Sequence, residues 1–96
     1  MLDLIERIED WAHVRGLDDG NPDRQFLKLA EEVGELAAGL ARWDDDEIED
    51  AVGDIVVVLT ILCYQLGLSL PHSVSKVLDV IEKRTGTTVD GVFIKE

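Results

Sequence analysis

The sequence predicts an all-α fold, a four-helix bundle-like protomer with a short extended C-terminal arm. Three observations carry that prediction. Apolar residues recur at spacings of three and four through most of the chain, clusters of turn formers cut the pattern into four stretches, and only the tail reads as β-prone. With 96 residues, 46% hydrophobic and 31% charged, the apolar mass suffices for one core, so residues 1–96 are expected to form a single domain.

In the first helix Ile5, Ile8 and Ala12 recur at helical spacing with Leu4 and Trp11 alongside, and the pattern stops at Gly16. Residues 17–23 concentrate turn formers and an early proline. A second helix follows on Phe26, Ala30, Val33, Ala37 and Leu40, as far as about Trp43. Asp44, Asp45 and Asp46 end it, and they supply caps and favourable charge to a third helix expected from about Glu47 to Leu66, closed by Gly67. Ser69 followed by Pro71 opens a fourth, carried by Val74, Val77, Leu78 and Ile81 to Arg84. The tail, Thr-Thr-Val-Asp-Gly-Val-Phe-Ile-Lys-Glu, has no partner strand of comparable length and is expected as an extended arm or short hairpin.

Nine basic residues against 21 acidic ones give a formal charge of −12, which disfavours a nucleic acid duplex or an anionic membrane as partner. The longest greasy stretch, Ile55 to Leu70, falls short of the roughly 20 apolar residues needed to span a bilayer. Cys63 is the lone cysteine, set in an apolar run, and the N-terminus lacks the basic and apolar regions of a secretory signal. Both point to a reduced, cytoplasmic setting.

The informative charges lie on the second and third helices. At about 100° per residue, Phe26, Leu29, Val33, Leu36 and Leu40 form one arc of the second helix, while Lys28, Glu32, Glu35 and Gly39 form another, with Glu31 beside it. Alone, such a stripe is most often a solvated face. On the third helix Asp50, Asp54, Val57, Val58 and Ile61 share a stripe, so the Asp54 carboxylate is expected along a greasy face, where it needs a proton, a basic partner or a metal. Antiparallel packing of the two helices would face Glu32 and Glu35 toward Asp50 and Asp54, a hard oxygen set suited to Mg²⁺ or Mn²⁺. Gly34 and Gly53, each beside a carboxylate inside a helix, suggest close helix approach. His13 and His72 form no ligand spacing.

These residues resemble the MazG-like nucleotide pyrophosphohydrolases of the all-α NTP pyrophosphatase superfamily, and in particular their shorter phage-type members. The family hallmark is Glu-Glu-x-x-Glu on one helix followed by Glu-x-x-Asp on the next. Glu31-Glu32-Val33-Gly34-Glu35 matches the first half and Gly53-Asp54 the end of the second. Ala51 stands where the second motif has glutamate, with Asp50 one residue earlier. The similarity extends to Gln25-Phe-Leu-Lys-Leu, Arg84-Thr-Gly and Gly91-Val-Phe-Ile-Lys95.

The resemblance implies hydrolysis of a nucleoside or deoxynucleoside triphosphate between its α and β phosphates, giving monophosphate and pyrophosphate. It implies Mg²⁺, with Mn²⁺ as the substitute, held by Glu32, Glu35, Asp54 and Asp50, and Glu31 as a further ligand or the water-orienting base. Lys28, Arg84 and Lys95 are then phosphate-binding candidates and Trp11 a base-stacking one. A homodimer or homotetramer is expected. The competing expectation is a catalytically inactive acidic helical module that binds a basic partner protein, with Asp54 in an ion pair; Ala51 is the feature favouring it.

Overall fold

The computed structural model describes residues 1–96 as four helices and a hairpin: α1 Leu2–Val14, α2 Pro22–Arg42, α3 Asp45–Gln65, α4 Leu70–Ile81, β1 Gly86–Val89 and β2 Val92–Lys95. Side-chain caps set three of the helix starts. Asn21 accepts from the Asp23 N–H with Pro22 in the first turn, Asp44 accepts from the Glu47 N–H, and Ser69 accepts from the His72 N–H. Because Asp44 is itself the cap, α3 starts two residues before the expected Glu47, and Asp45 and Asp46 lie in its first turn. The fourth helix ends at Ile81, short of Arg84, where the chain tightens into i to i−3 turns through Lys83 and Arg84.

Between α1 and α2, Gly16 takes a φ of 69° and a single 3-10 turn spans Leu17–Asp19. His13 Nδ1 lies 2.8 Å from Asp18 Oδ2 and pins this turn to the end of α1. From the far side Gln65 Nε2 donates to the Leu17 carbonyl at 2.8 Å.

Only Trp43 and Asp44 separate α2 from α3, so the two helices return antiparallel. Gly39 meets Ile48, where an added Cβ would stand 3.4 Å from the Ile48 backbone nitrogen. Farther along, Gln25 Nε2 donates to the Val58 carbonyl at 3.4 Å. Gly34 and Gly53, expected at a close approach, instead face open space within the chain.

The four helices do not close into a bundle. α1 packs on α3, but α4 leaves α3 at a bend of 100° and touches its neighbours lightly. Nine residues are buried, with Ile5, Ala12, Ala51, Val58, Ile61 and Cys63 as the apolar core around Thr60, whose hydroxyl donates to the Val56 carbonyl. The radius of gyration is 15.7 Å, against about 12.5 Å for a compact chain of this length. The accessible surface is 7258 Å², against about 5500 Å² for a monomer of this mass. No single helix is long and apolar enough to cross a membrane.

The tail is not an extended arm. It pairs with itself, from Gly86 with Lys95 to Val89 with Val92, across Asp90 and Gly91, both at positive φ. That is the two-residue loop that Asp-Gly favours in a hairpin. Neither strand packs against a helix of its own chain.

Candidate functional site

The rotation of α2 about its own axis builds the site. With Gly39 against Ile48, the face meeting α3 is centred between the two arcs of the helix, so Glu32 turns inward while Phe26, Val33 and Leu40 remain about half exposed on the outside. The buried carboxylate is therefore Glu32, at 9% exposure, and not Asp54, which the greasy stripe of α3 had suggested. Asp54 is exposed, beyond the edge of the apolar face.

Glu32, Glu35 and Asp54 each present a carboxylate oxygen, and the three oxygens lie within 4.8 Å of one another. Oxygens bound to one Mg²⁺ stand at most about 4.2 Å apart, a difference that side-chain rotation covers. Glu32 Oε2 is buried and has no hydrogen-bond partner. A buried oxygen without a donor costs about 1–3 kcal/mol, a cost that a bound cation or water would offset. Its other oxygen meets Lys28 Nζ at 3.6 Å, one helical turn away.

Crowding shows in the titration of the neighbours. The charge of Glu32, then the hydrogen bond that a protonated Glu35 can donate to it, raises the Glu35 pKa, with smaller contributions from desolvation and Asp54. Asp54 is raised by loss of water on its inner side, then by the charges of Glu32 and Asp50. Lys28 is the cation that opposes both shifts.

The remaining expected residues are placed less closely. Asp50 lies one turn before Asp54 on α3 and acts on it through charge, outside the three-carboxylate group. Glu31 is exposed on α2 and outside that group as well. Trp11, on α1, lines an apolar groove of about 700 Å³ between α1 and α3 together with Leu4, Ile8, Val52, Gly53 and Val56. Arg15, which the sequence reading missed, lies 4.1 Å above the Trp11 ring. A basic residue four positions after a tryptophan on a helix was its signal. Arg84 follows α4, Lys95 ends β2, and the hairpin brings neither onto α2 or α3.

Comparison with known proteins agrees with this arrangement. The sequence model of the MazG nucleotide pyrophosphohydrolase domain matches residues 21–88, which include all of α2, α3 and α4. An uncharacterized 18.2 kDa protein from the rep-hol intergenic region of Haemophilus phage HP1 (strain HP1c1) is 49% identical over 63 residues, covering 65% of this chain. The matched stretch spans 39% of that protein's length. No solved structure matches. The carboxylates that converge from α2 and α3 all fall within the matched residues, and the chain belongs to the MazG nucleotide pyrophosphohydrolase family.

Proposed function

We propose that the chain hydrolyses a nucleoside or deoxynucleoside triphosphate at the α-β phosphate bond, giving the monophosphate and pyrophosphate, with Mg²⁺ held by Glu32, Glu35 and Asp54. The observation that carries this reading is the convergence of the Glu32, Glu35 and Asp54 carboxylates beside one neighbouring lysine, with Glu32 Oε2 buried and without a hydrogen-bond partner. A divalent cation there supplies charge neutralisation and Lewis acidity toward a triphosphate that the acidic chain would otherwise repel.

The side chains divide the remaining work. Asp50, next to Asp54, serves as an additional ligand or holds the hydration of the ion. Glu31, exposed beside the group, orients the water and accepts its proton as the water oxygen bonds to the α phosphorus. The bond to the β-phosphate oxygen breaks, and the electron pair leaves with pyrophosphate. Lys28 turns from Glu32 to a phosphate oxygen, and Arg84 and Lys95 are the further phosphate contacts. Trp11 offers a half-exposed ring to the base. Mn²⁺ substitutes for Mg²⁺.

The protein is proposed to act as a cytoplasmic homodimer or homotetramer. Phe26, Val33 and Leu40, seven residues apart and about half exposed, form an unpaired stripe along α2 of the kind a second helix covers. The deciding experiment is pyrophosphate release from each common NTP and dNTP with Mg²⁺. Release of orthophosphate with a nucleoside diphosphate would place the attack at the wrong phosphorus, and no release from any nucleotide would favour the inactive acidic module.

A further inference from the structure

The C-terminal hairpin is the part of the molecule that its own fold leaves without a neighbour. β1 and β2 pack against none of the helices, although a lone two-stranded hairpin is at best marginally stable in water. It nevertheless carries Val89, Val92, Phe93 and Ile94, each about half exposed. Phe93 and Lys95 alternate onto the same face, so an apolar anchor and a cation project together.

Charge and area say what covers it. Lys83, Arg84 and Lys95, three of the nine basic residues, lie in the last fourteen positions beside only two acids, Asp90 and Glu96, whereas the preceding chain is strongly acidic. At a net charge of +1 the arm is opposite in sign to the rest of the chain, and so to the surface a second copy would present. The accessible surface exceeds that of a typical monomer of this mass by roughly 1750 Å². That excess is the scale of one partner's share in an obligate dimer, about 1000–2500 Å². The groove between α1 and α3 offers apolar walls at Leu4, Ile8, Val52 and Val56, and its Gly53 directly precedes Asp54.

We infer that the hairpin is an exchanged arm, which seats Phe93 in the α1–α3 groove of a second copy and brings Lys95 to that copy's Glu32, Glu35 and Asp54. The role of Lys95 rests on the proposed hydrolysis, since a bound triphosphate meets a site whose own chain supplies Lys28 as its neighbouring cation. The seating of the arm stands on the packing and charge alone.

Two measurements separate these parts. With p-benzoylphenylalanine at position 93 and an equimolar mixture of isotope-labelled and unlabelled full-length chains, irradiation is expected to give mixed-mass crosslinks to peptides of α1 or α3. Crosslinks confined to one chain, or light scattering of a monomer at micromolar concentration, overturn the arm. For the second measurement, Asp54→Asn and Lys95→Ala are each expected to lose at least about tenfold in pyrophosphate release from the common NTPs and dNTPs with Mg²⁺. Refolded together in equal amounts, they are expected to recover about a quarter of wild-type activity, because half of randomly mixed dimers carry one intact site with an intact arm from the partner. No recovery, with both variants folded by circular dichroism and the wild type active, overturns delivery by the second copy and leaves the metal site standing. Mixed-mass crosslinks with a wild type inactive on every nucleotide overturn the hydrolysis and leave the arm.

Discussion

Substituting Glu32 by glutamine separates a metal site from a structural ion pair by the sign of one stability change. In the metal-free protein Glu32 Oε2 is buried without a donor, and its charge pushes up the pKa of both Glu35 and Asp54. Glu32→Gln keeps the shape, removes that repulsion and adds an amide N–H₂ that can donate to either neighbour. Relief of one unsatisfied buried oxygen is worth about 1–3 kcal/mol. Against it stands the loss of the Lys28 contact at 3.6 Å, an i,i+4 pair with an exposed lysine worth about 0.3–0.5 kcal/mol. The net expectation in EDTA is a gain of roughly 1–2 kcal/mol, or a rise in Tm of about 5–10 °C for a chain of this size. Mg²⁺ is expected to reverse the order. A hundredfold excess over Kd stabilises the wild type by about 2.7 kcal/mol, and the variant, lacking a ligand, gains much less. Thermal and urea unfolding of both proteins, in EDTA and in Mg²⁺, measure all four corners. A variant less stable than wild type in EDTA refutes the reasoning, because Glu32 would then be satisfied by a partner and the group would be a structural one.

Asp54→Asn is expected to cut pyrophosphate release by orders of magnitude while leaving metal-free stability level or raised, both read on the same preparation. The raised pKa values of Glu35 and Asp54 mean that the folded state binds protons more readily than the unfolded one. Their contribution therefore favours folding at low pH and fades as pH rises through the folded values, whereas Mg²⁺ affinity runs the opposite way. Urea titrations and calorimetry across pH 4–7 test the pair of slopes, and a metal affinity that is flat with pH contradicts the carboxylate ligands. Val33→Glu, in the middle of the exposed stripe of α2, is expected to shift the assembly toward monomer by light scattering with helix content unchanged. An unchanged mass would show that the stripe is not the seam.

Most of the helical layout was legible because its signals are local. Asn21-Pro22, the three aspartates after Trp43 and Ser69-Leu70-Pro71 each carry a cap in their own side chains, and the structure uses all three. Of the two forms expected of the tail, an extended arm or a short hairpin, the chain takes the hairpin, turned at Asp90-Gly91. What one helix cannot reveal is its rotation about its own axis. Lys28, Glu32, Glu35 and Gly39 overlap the apolar arc of α2 at one border, and Gly39 meeting Ile48 decides which side of that border faces α3. The same limit exchanged the burial of Glu32 and Asp54, although both were recognised as members of one group.

That rotation also explains why an otherwise ordinary set of amphipathic helices leaves so much uncovered. A helix pair packed for its own stability would turn Phe26, Val33 and Leu40 inward and leave Glu32 in water, which maximises apolar burial and avoids the orphaned oxygen. Here the face that meets α3 is centred between the two arcs, with Leu29 and Leu36 beside Glu32, and the row of Phe26, Val33 and Leu40 remains outside. Both deficits arise from one geometric choice, and both are of the kind that binding offsets: on the proposed reading, a cation for the carboxylates on the inner face and a second copy for the apolar row on the outer one. Under the proposed function, stability, metal affinity and assembly would therefore be coupled through α2. A substitution that returned the apolar row to the interior would make the isolated chain more stable and dismantle the site.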